Sequence, residues 1–325
     1  MKYLTAVAFA VLVSGGVPAL AQPPSDPALL IPQAAPLLDY VAVADPVSLP
    51  PGVTMGATAA VAVDPRGHLV VLARGNPALF EFEADGTFVR SFGSDLFTRT
   101  HGLHIDAEGN FWVADVGSHI VVKLGADGQV LMTLGTKGEA GEWNEAAGSR
   151  RLNQPNDVAV ARNGDVFVVQ GHTPGTRGDP RVLKFDRDGT YLTSWGGKGT
   201  GPGQFDVAHG ISIDAAGQLW VADRENQRIQ IFDANGGFAR QLTYAGLPCG
   251  IDIGEEAIFM VNGFTGQIVK LDTAGAVIAA VGRPGKGLGE FGEAHYIAVS
   301  PSGDLYVADT VNRNLHKFVP GGRAQ

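Results

Sequence analysis

A short pattern recurs six times along this chain, and this repetition constrains the fold more than any other feature of the sequence. Most copies contain an alternating apolar stretch, a tight turn and a second apolar stretch, as in HGLHIDAEGNFWVAD (101–115) and HGISIDAAGQLWVAD (209–223). Alternation with a period of two residues predicts β-strands rather than helices. The copies begin, in chain order, at Ala59, His101, Asn156, His209, Cys249 and His295.

Two further short strands follow most copies, for example RVLKF (181–185) and YLTSWG (191–196). Successive copies start 42, 55, 53, 40 and 46 residues apart, and four strands per unit at such spacing are typical of propeller blades. We therefore predict an all-β fold, a six-bladed β-propeller over residues 38–320. The stretch YVAVADPVSL (40–49) would supply a strand to the sixth blade, because a closed ring leaves no unpaired sheet edge. The second strand ends 14 residues after the first residue in five copies and 13 residues after it in the fifth. A non-repeating β-sandwich would leave this constant spacing unexplained.

The composition agrees with a ring of short strands. Glycine accounts for 45 of the 325 residues, which suits many tight turns and argues against a helical bundle or a coiled coil. The formal net charge of −9 argues against nucleic acid or an anionic membrane surface as a partner. A single cysteine, Cys249, excludes an intramolecular disulfide and a cysteine-rich metal site, and we expect it to be a small buried residue.

Residues 1–21 have the pattern of a secretory signal peptide. Lys2 precedes a short apolar stretch, and Ala19-Leu20-Ala21 fits a cleavage site. The apolar stretch is too short to span a bilayer, and the sequence predicts no membrane-spanning segment. Cleavage after Ala21 would place the mature protein in a periplasm or outside the cell. The Pro-rich residues 22–37 are expected to form a linker, and residues 321–325 a C-terminal tail.

Three of the eight histidines, His101, His209 and His295, begin the second, fourth and sixth copies. Alternate blades of a six-bladed ring lie about 120° apart around the axis, so the three imidazoles are predicted to converge on the central channel. Three histidines with an open coordination position are the ligand set of a catalytic zinc site. The alternative is that each histidine is a hydrogen-bonded core or channel residue.

Arginines occupy a second common position, one residue after the second strand of a copy. Arg74 holds it in the first blade and Arg224 in the fourth, so the two would face each other across the channel mouth. Two guanidinium groups in that place would bind an anionic substrate, most simply a carboxylate. The alternative for Arg224 is a structural ion pair with an acid such as Asp223. His172 lies one residue beyond this position in the third blade and is a candidate base or acid, or else a surface histidine.

The repeats resemble the NHL-type six-bladed propeller in three respects: the tight turn, the V-A-D strand end and the segment WGGKGTGPGQF (195–205). Further segments resemble the peptidyl-α-hydroxyglycine α-amidating lyase family, and they cover most of the propeller: ARGN (73–76), HGLHIDAEGNFWVAD (101–115), HGISID (209–214), DRENQRIQIF (223–232) and AHYIAV (294–299).

That resemblance implies a role for several residues. It makes His101, His209 and His295 zinc ligands, and it makes Arg74 and Arg224 active-site arginines, one of which contacts a substrate carboxylate. It also implies a structural calcium held by main-chain carbonyls, those of Val61 and Leu103.

Two residues depart from the family. His172 stands where the family has an active-site tyrosine, and Tyr296 stands where it has an aspartate that helps to bind calcium. Loss of a carboxylate weakens a site for a hard cation.

The implied reaction is zinc-dependent cleavage of a carbinolamide C–N bond, which gives an amide and glyoxylate from a peptide-derived or small carboxylate-bearing substrate. A relative that acts on another carbinolamide is also consistent. One alternative is a non-catalytic NHL propeller that binds a protein or a glycan through its loops. A calcium-dependent lactonase fits less well, because that chemistry requires Asp, Glu and Asn on the axis. The sequence leaves the natural substrate and the oligomeric state open.

Overall fold

The computed structural model describes residues 22–173 and 179–323 and confirms the predicted six-bladed β-propeller. Six four-stranded antiparallel sheets form the blades, and the inner strands of neighbouring blades contact one another around the ring. From the channel outwards, the first blade consists of Ala57–Val63, Leu69–Arg74, Leu79–Phe82 and Phe88–Phe92, and the second of Thr100–Ile105, Phe111–Asp115, Ile120–Leu124 and Val130–Leu134. The third blade consists of Pro155–Val160, Val166–Gln170, Arg181–Phe185 and Tyr191–Gly196, and the fourth of Ala208–Ile213, Leu219–Asp223, Arg228–Phe232 and Phe238–Thr243. The fifth blade consists of Pro248–Ile253, Ile258–Asn262, Gln267–Leu271 and Val277–Val281.

The sixth blade joins the two ends of the described chain. Its inner strands are Ala294–Val299, Leu305–Asp309 and Asn314–Pro320, and its outermost strand is Tyr40–Val43. Tyr40 pairs antiparallel with Pro320, and Val43 pairs with Lys317. The predicted closing strand is therefore confirmed, and a strand from the start of the chain closes the ring by backbone hydrogen bonds.

Short elements complete the described structure. Two-stranded ribbons pair Trp143–Asn144 with Ser149–Arg150 and Arg283–Pro284 with Glu290–Phe291. Single 3₁₀ turns span Pro27–Leu30, Glu145–Ala147 and Gly321–Arg323. None of the helices in the described residues is long or apolar enough to cross a membrane. The signal-peptide prediction for residues 1–21 lies outside the described residues.

The hydrophobic core consists of six clusters, each between two neighbouring blades. Phe111 and Leu72 belong to the cluster between the first and second blades, and Phe80 and Tyr306 to the cluster that joins the sixth blade to the first. Each fully buried large apolar side chain stabilises the fold by about 1.5–3 kcal/mol. Because the clusters follow one another around the ring, they hold the inner strands in fixed positions around the channel.

Candidate metal centre

A β-bulge at the start of each inner strand sets the direction of the three channel histidines. The pairing register shifts between Thr100 and Leu103, between Ala208 and Gly210, and between Ala294 and Tyr296, so that each histidine lies inside the irregularity. A bulge leaves one residue unpaired and changes the direction of its side chain. The same irregularity in three alternate blades directs three imidazoles into the channel.

The three imidazoles meet on the axis, as the repeat positions predict. The ring centroids of His101 and His295 are 4.5 Å apart, those of His101 and His209 are 4.8 Å apart, and those of His209 and His295 are 5.0 Å apart. One nitrogen from each ring lies within 4.8 Å of the others, and all three side chains are buried. These side chains form a three-histidine group compatible with one metal ion.

Hydrogen bonding leaves ring nitrogens of His101 and His209 free to bind a metal ion. Nδ1 of His101 donates to the carbonyl of Asn156 at 2.8 Å, and Nδ1 of His295 donates to the carbonyl of Ala59 at 2.6 Å. Nε2 of His101 and both ring nitrogens of His209 are buried without a hydrogen-bond partner. A ligating histidine commonly donates its other ring N–H to a carbonyl, which fixes the tautomer. The orphaned nitrogens therefore fit a bound metal ion.

The electrostatic environment keeps these imidazoles neutral. Burial lowers the pKa of His101 well below its usual value, and the neighbouring imidazoles of His295 and His209 lower it further. Burial likewise lowers the pKa of His209 and of His295. Since only a neutral imidazole binds a metal, the cluster needs no proton release to be ready for one.

The glycine after two of the histidines permits the close approach of the next blade. A Cβ atom at Gly102 would lie 2.5 Å from the carbonyl oxygen of Asn156, and one at Gly210 would lie 2.3 Å from that of Cys249. Real Cβ atoms do not approach backbone oxygens so closely, so a larger residue would displace the carbonyls that surround the axis. The H-G pair of the motif is thus a packing requirement of the site.

The V-A-D strand ends hold the segments that lead into the histidine strands. Both carboxylate oxygens of Asp115 accept backbone N–H groups, from Arg99 at 2.7 Å and from Thr98 at 2.6 Å. Asp309 likewise accepts from the amides of Gly292 and Glu293. These aspartates lie in the histidine-bearing blades, and they anchor the backbone two residues before His101 and His295.

Two arginines at the mouth of the channel lack an acidic partner. Arg74 donates from Nε to the carbonyl of Thr100 at 3.3 Å, while Nε of Arg99 is buried without a partner. Among the described residues, no carboxylate forms an ion pair with either guanidinium group. Burial and the neighbouring charge of Arg99 lower the pKa of Arg74 to about 10. Arg74 keeps its charge at neutral pH even with this lowered pKa, and two guanidinium groups without acidic partners are suited to bind an anion.

Arg224 differs from these two arginines because carboxylates already lie next to its guanidinium group. Its Nη2 lies 2.8 Å from a carboxylate oxygen of Glu225, and its Nη1 lies 3.9 Å from Glu293. Burial by itself lowers the pKa of Arg224, but these carboxylates outweigh burial and raise it. Arg224 is thus paired with Glu225, whereas Asp223, the acid named in the predicted alternative, pairs with Arg228.

His172 lies beside the histidine group. Its ring centroid is 4.7 Å from that of His101 and 6.2 Å from that of His209. Burial lowers the pKa of His172 well below its usual value, and the charges of Arg224, Arg99 and Arg74 lower it further. A neutral imidazole is able to accept a proton.

These groups line one cavity, which we call the upper cavity, of about 510 Å³. Its walls come from all six blades and from the segment that precedes the propeller. The lining residues include Arg74, Arg99, His172, Arg224, Glu225, Leu247, Phe264, Glu293 and His295, together with Pro24, Asp26 and Leu29.

A second cavity, the lower cavity of about 360 Å³, lies further along the channel and is lined by Val61, Leu103, Asp157 and Tyr296. Tyr296 is buried in the channel, and its hydroxyl donates to the carbonyl of His209 at 2.9 Å. Val61 and Leu103 thus line the channel, but the residue beside them is a phenol rather than a carboxylate. Asp157 already accepts the amide of Ile211. This donor set fits calcium poorly, since calcium prefers several carboxylate and carbonyl oxygens.

Asp157 gives the fold a pH-dependent stability. Burial raises its pKa to about 8, so the folded protein retains a proton that the unfolded chain loses above about pH 4. The free energy of unfolding is therefore expected to fall as pH rises, by roughly 2–4 kcal/mol between about pH 5 and 7.5. Asp157→Asn is expected to remove most of this difference in urea unfolding. The prediction would be contradicted if the free energy of unfolding depended equally on pH in both proteins. Stabilisation by calcium of the unmodified chain alone at the higher pH would also contradict it.

A second group of acidic side chains and a histidine lies in the first blade, and its carboxylates already pair with arginines. We call it the charge-saturated group. Asp64, His68 and Glu81 approach one another, but Arg66 bonds to both carboxylates and Arg90 bonds to Glu81. This group therefore has its own cations and leaves no need for a metal ion.

Sequence reasoning overlooked Arg99, Leu247 and Glu293, all of which line the upper cavity. Each lies two residues before the first residue of a copy, at one common repeat position. Comparison of that position across the six copies was the signal that would have found them. Cys249 is buried as expected, and burial raises its thiol pKa to about 12.

Comparisons with known proteins agree with this architecture. The NHL repeat family model matches residues 205–232. Peptidyl-glycine α-amidating monooxygenase B of Xenopus laevis is 30 % identical over 322 residues, which cover 83 % of this chain and 35 % of that protein. A probable peptidyl-α-hydroxyglycine α-amidating lyase of Caenorhabditis elegans is 34 % identical over 225 residues, which cover 61 % of each chain. The chain thus spans about a third of the frog protein's length.

Among solved structures, a streptogramin B lyase superposes with a TM-score of 0.61 at 16 % identity and covers 86 % of this chain and 97 % of that one. Identity this low shows the propeller fold alone. The sequence relatives support a lyase-like propeller. The chain is therefore a six-bladed β-propeller that contains an NHL repeat, and proteins named peptidyl-α-hydroxyglycine α-amidating lyase are among its homologues.

Proposed function

We propose that this chain is a zinc-dependent lyase that cleaves the C–N bond of a carbinolamide and releases an amide and glyoxylate. One observation carries the proposal: the three buried imidazoles, two of which have unpartnered ring nitrogens, meet beside a cavity that His295 lines together with two guanidinium groups that lack acidic partners. The first group suits a divalent metal, and the second suits the carboxylate of an α-hydroxyglycine. The similarity to proteins named α-amidating lyases supports this reaction.

His101, His209 and His295 would hold the metal ion. A divalent ion bound by three neutral imidazoles supplies a Lewis acid that polarises a substrate hydroxyl and lowers its pKa. The carbonyls of Asn156 and Ala59 orient two of these rings from behind. Such outer partners usually contribute 10- to 100-fold to metal affinity or activity, on the order given by substitution studies of metal sites.

The chain's own side chains perform the remaining steps. Arg74 and Arg99 bind the substrate carboxylate and place its α-carbon near the imidazoles. His172 accepts the proton of the α-hydroxyl, and the C–N bond breaks as that oxygen becomes the aldehyde oxygen of glyoxylate. The electron pair of the broken bond passes to the amide nitrogen, which takes up the proton. The reaction consumes no water and needs no oxidant.

We further propose that this reaction takes place outside the cytoplasm, because residues 1–21 have the pattern of a signal peptide. The substrate would be a small carboxylate or a peptide that ends in α-hydroxyglycine. Neither nucleic acid nor a membrane-spanning segment would take part in its binding.

Incubation of the zinc-loaded chain with a peptide that ends in α-hydroxyglycine tests the proposal. Glyoxylate and the peptide amide are expected in equal amounts, and the same peptide with an unmodified C-terminal glycine is expected to remain intact. Chemical assay of glyoxylate and mass spectrometry of the peptide measure the two products. A chain that binds zinc but releases no glyoxylate from such peptides would overturn the proposed reaction.

A further inference from the structure

The segment that precedes the propeller lies over the candidate active site. Residues 22–30, which we call the leader, end in the 3₁₀ turn Pro27–Leu30, where Asp26 accepts the amide of Ala28 at 2.9 Å. Pro24 and Leu29 are half-buried and line the upper cavity. The leader therefore forms one wall of the cavity that contains Arg74, Arg99 and His172.

The same segment also borders a third cavity, which is apolar, has a volume of about 440 Å³ and lies between the fifth and sixth blades. Pro23 and Leu30 line it, together with Phe291 and Val311, while Phe264 lines both cavities. Neighbouring leader residues thus face different cavities. The leader therefore forms a partition between the upper cavity and this apolar cavity, which we call the apolar groove.

The chain after the leader is tied firmly to the ring. Gln33 and Gln267 exchange two hydrogen bonds, of 2.7 and 3.1 Å, and Oε1 of Gln33 accepts the amide of Ala245 at 3.0 Å. The backbone of Leu38 bonds to Ala280, and the side chain of Leu38 is buried. These contacts fix residues 33–38 along the fifth blade.

The leader itself is held differently. The hydrogen bonds described for residues 22–32 are local and join Asp26 to Ala28 and Leu29. Towards the ring, the leader presents the side chains of Pro24 and Leu29 to the upper cavity and those of Pro23 and Leu30 to the apolar groove. The leader can therefore leave its position without breaking a hydrogen bond to the ring.

We propose that the leader selects substrates by size, a proposal that rests on the function proposed above. With the leader in place, the upper cavity accepts a short N-acyl-α-hydroxyglycine, whose carboxylate meets Arg74 and Arg99 and whose small apolar acyl group meets Leu29 and Leu247. A longer peptide needs the adjoining apolar groove for the residues before its C-terminus, and the leader blocks the way. Removal of the partition joins the two cavities and admits the longer chain.

Binding of unreactive ligands by calorimetry tests this inference without catalysis. N-acetylglycine and a hexapeptide with a C-terminal glycine are titrated into the unmodified protein, a variant that lacks residues 23–30, and Leu29→Ser/Leu30→Ser. Loss of the partition is expected to tighten hexapeptide binding at least tenfold relative to N-acetylglycine. Ile31→Ser is the matched control, because Ile31 is exposed and lines neither cavity.

The kcat/KM values are then measured for the corresponding hexapeptide and N-acetyl compounds that end in α-hydroxyglycine, and their ratio is compared between the same variants. An affinity ratio that stays within twofold in both leader variants overturns the partition, as does failure of every variant to bind either ligand. If the affinity ratio shifts as expected but no variant releases glyoxylate, the partition stands and the proposed reaction fails.

Discussion

Replacement of His209 by alanine is expected to abolish both metal binding and glyoxylate release. The other two imidazoles leave the ion with an incomplete ligand set, and even loss of an outer partner of a metal ligand costs about 10- to 100-fold. We therefore expect metal affinity and kcat/KM to fall by more than about 100-fold. Elemental analysis of the purified proteins should give about one zinc per chain before the substitution and none after it.

Thermal unfolding gives a readout that does not depend on activity. Zinc at about a thousandfold excess over its Kd stabilises the folded state by about 4 kcal/mol, so it should raise the Tm of the unmodified chain and leave His209→Ala unchanged. His68→Gln is the matched control, since His68 belongs to the charge-saturated group of the first blade. Retention of metal by His209→Ala, or its loss from the control, would contradict the three-histidine site.

Substitution of Arg99 by methionine is expected to raise KM by about 10- to 100-fold with a smaller change in kcat. A hydrogen bond to a charged group contributes about 1.5–3 kcal/mol, and about 1.4 kcal/mol corresponds to a factor of ten. The same change at Arg74 should act in the same direction. The effect should vanish for a substrate analogue whose carboxylate is replaced by a carboxamide, because the lost interaction is with that charge.

Two further variants separate substrate binding from folding. Arg99→Lys keeps the charge without the planar fork, and it should recover part of the lost affinity. Arg224→Met leaves the carboxylates of Glu225 and Glu293 without their cation, so it should lower stability in urea unfolding more than Arg99→Met does. Equal KM for the carboxylate substrate in Arg99→Met and the unmodified protein would remove Arg99 from the anion site.

The repeat made much of the architecture predictable. The second strand ends 13 or 14 residues after the start of every copy, and this alignment places His101, His209 and His295 at one repeat position. Their convergence then follows from the symmetry of a six-bladed ring. The closing strand near Tyr40 was predictable for a related reason, since an unpaired sheet edge in the sixth blade needs a partner. Both inferences depend on backbone geometry, which the local sequence pattern encodes directly.

The charges of the site were less predictable. Arg74 and Arg224 occupy the same repeat position, yet Arg74 lacks an acidic partner and Arg224 lies against Glu225 and Glu293. Ion pairing depends on distances between loops of different blades, and Glu293 lies 69 positions beyond Arg224. Arg99 entered the site for the same reason, because the loop before an inner strand reaches the channel mouth.

The sequence by itself determined the all-β propeller, the number of blades and the meeting of three histidines on the axis, because strand period and copy spacing constrain the backbone of every repeat. Only the tertiary structure decided which guanidinium groups remain without an acidic partner, that Tyr296 lies buried in the channel beside His209, and that the leader lines the upper cavity. These features arise from contacts between side chains of different blades and from a segment outside the repeat, where no periodic pattern applies.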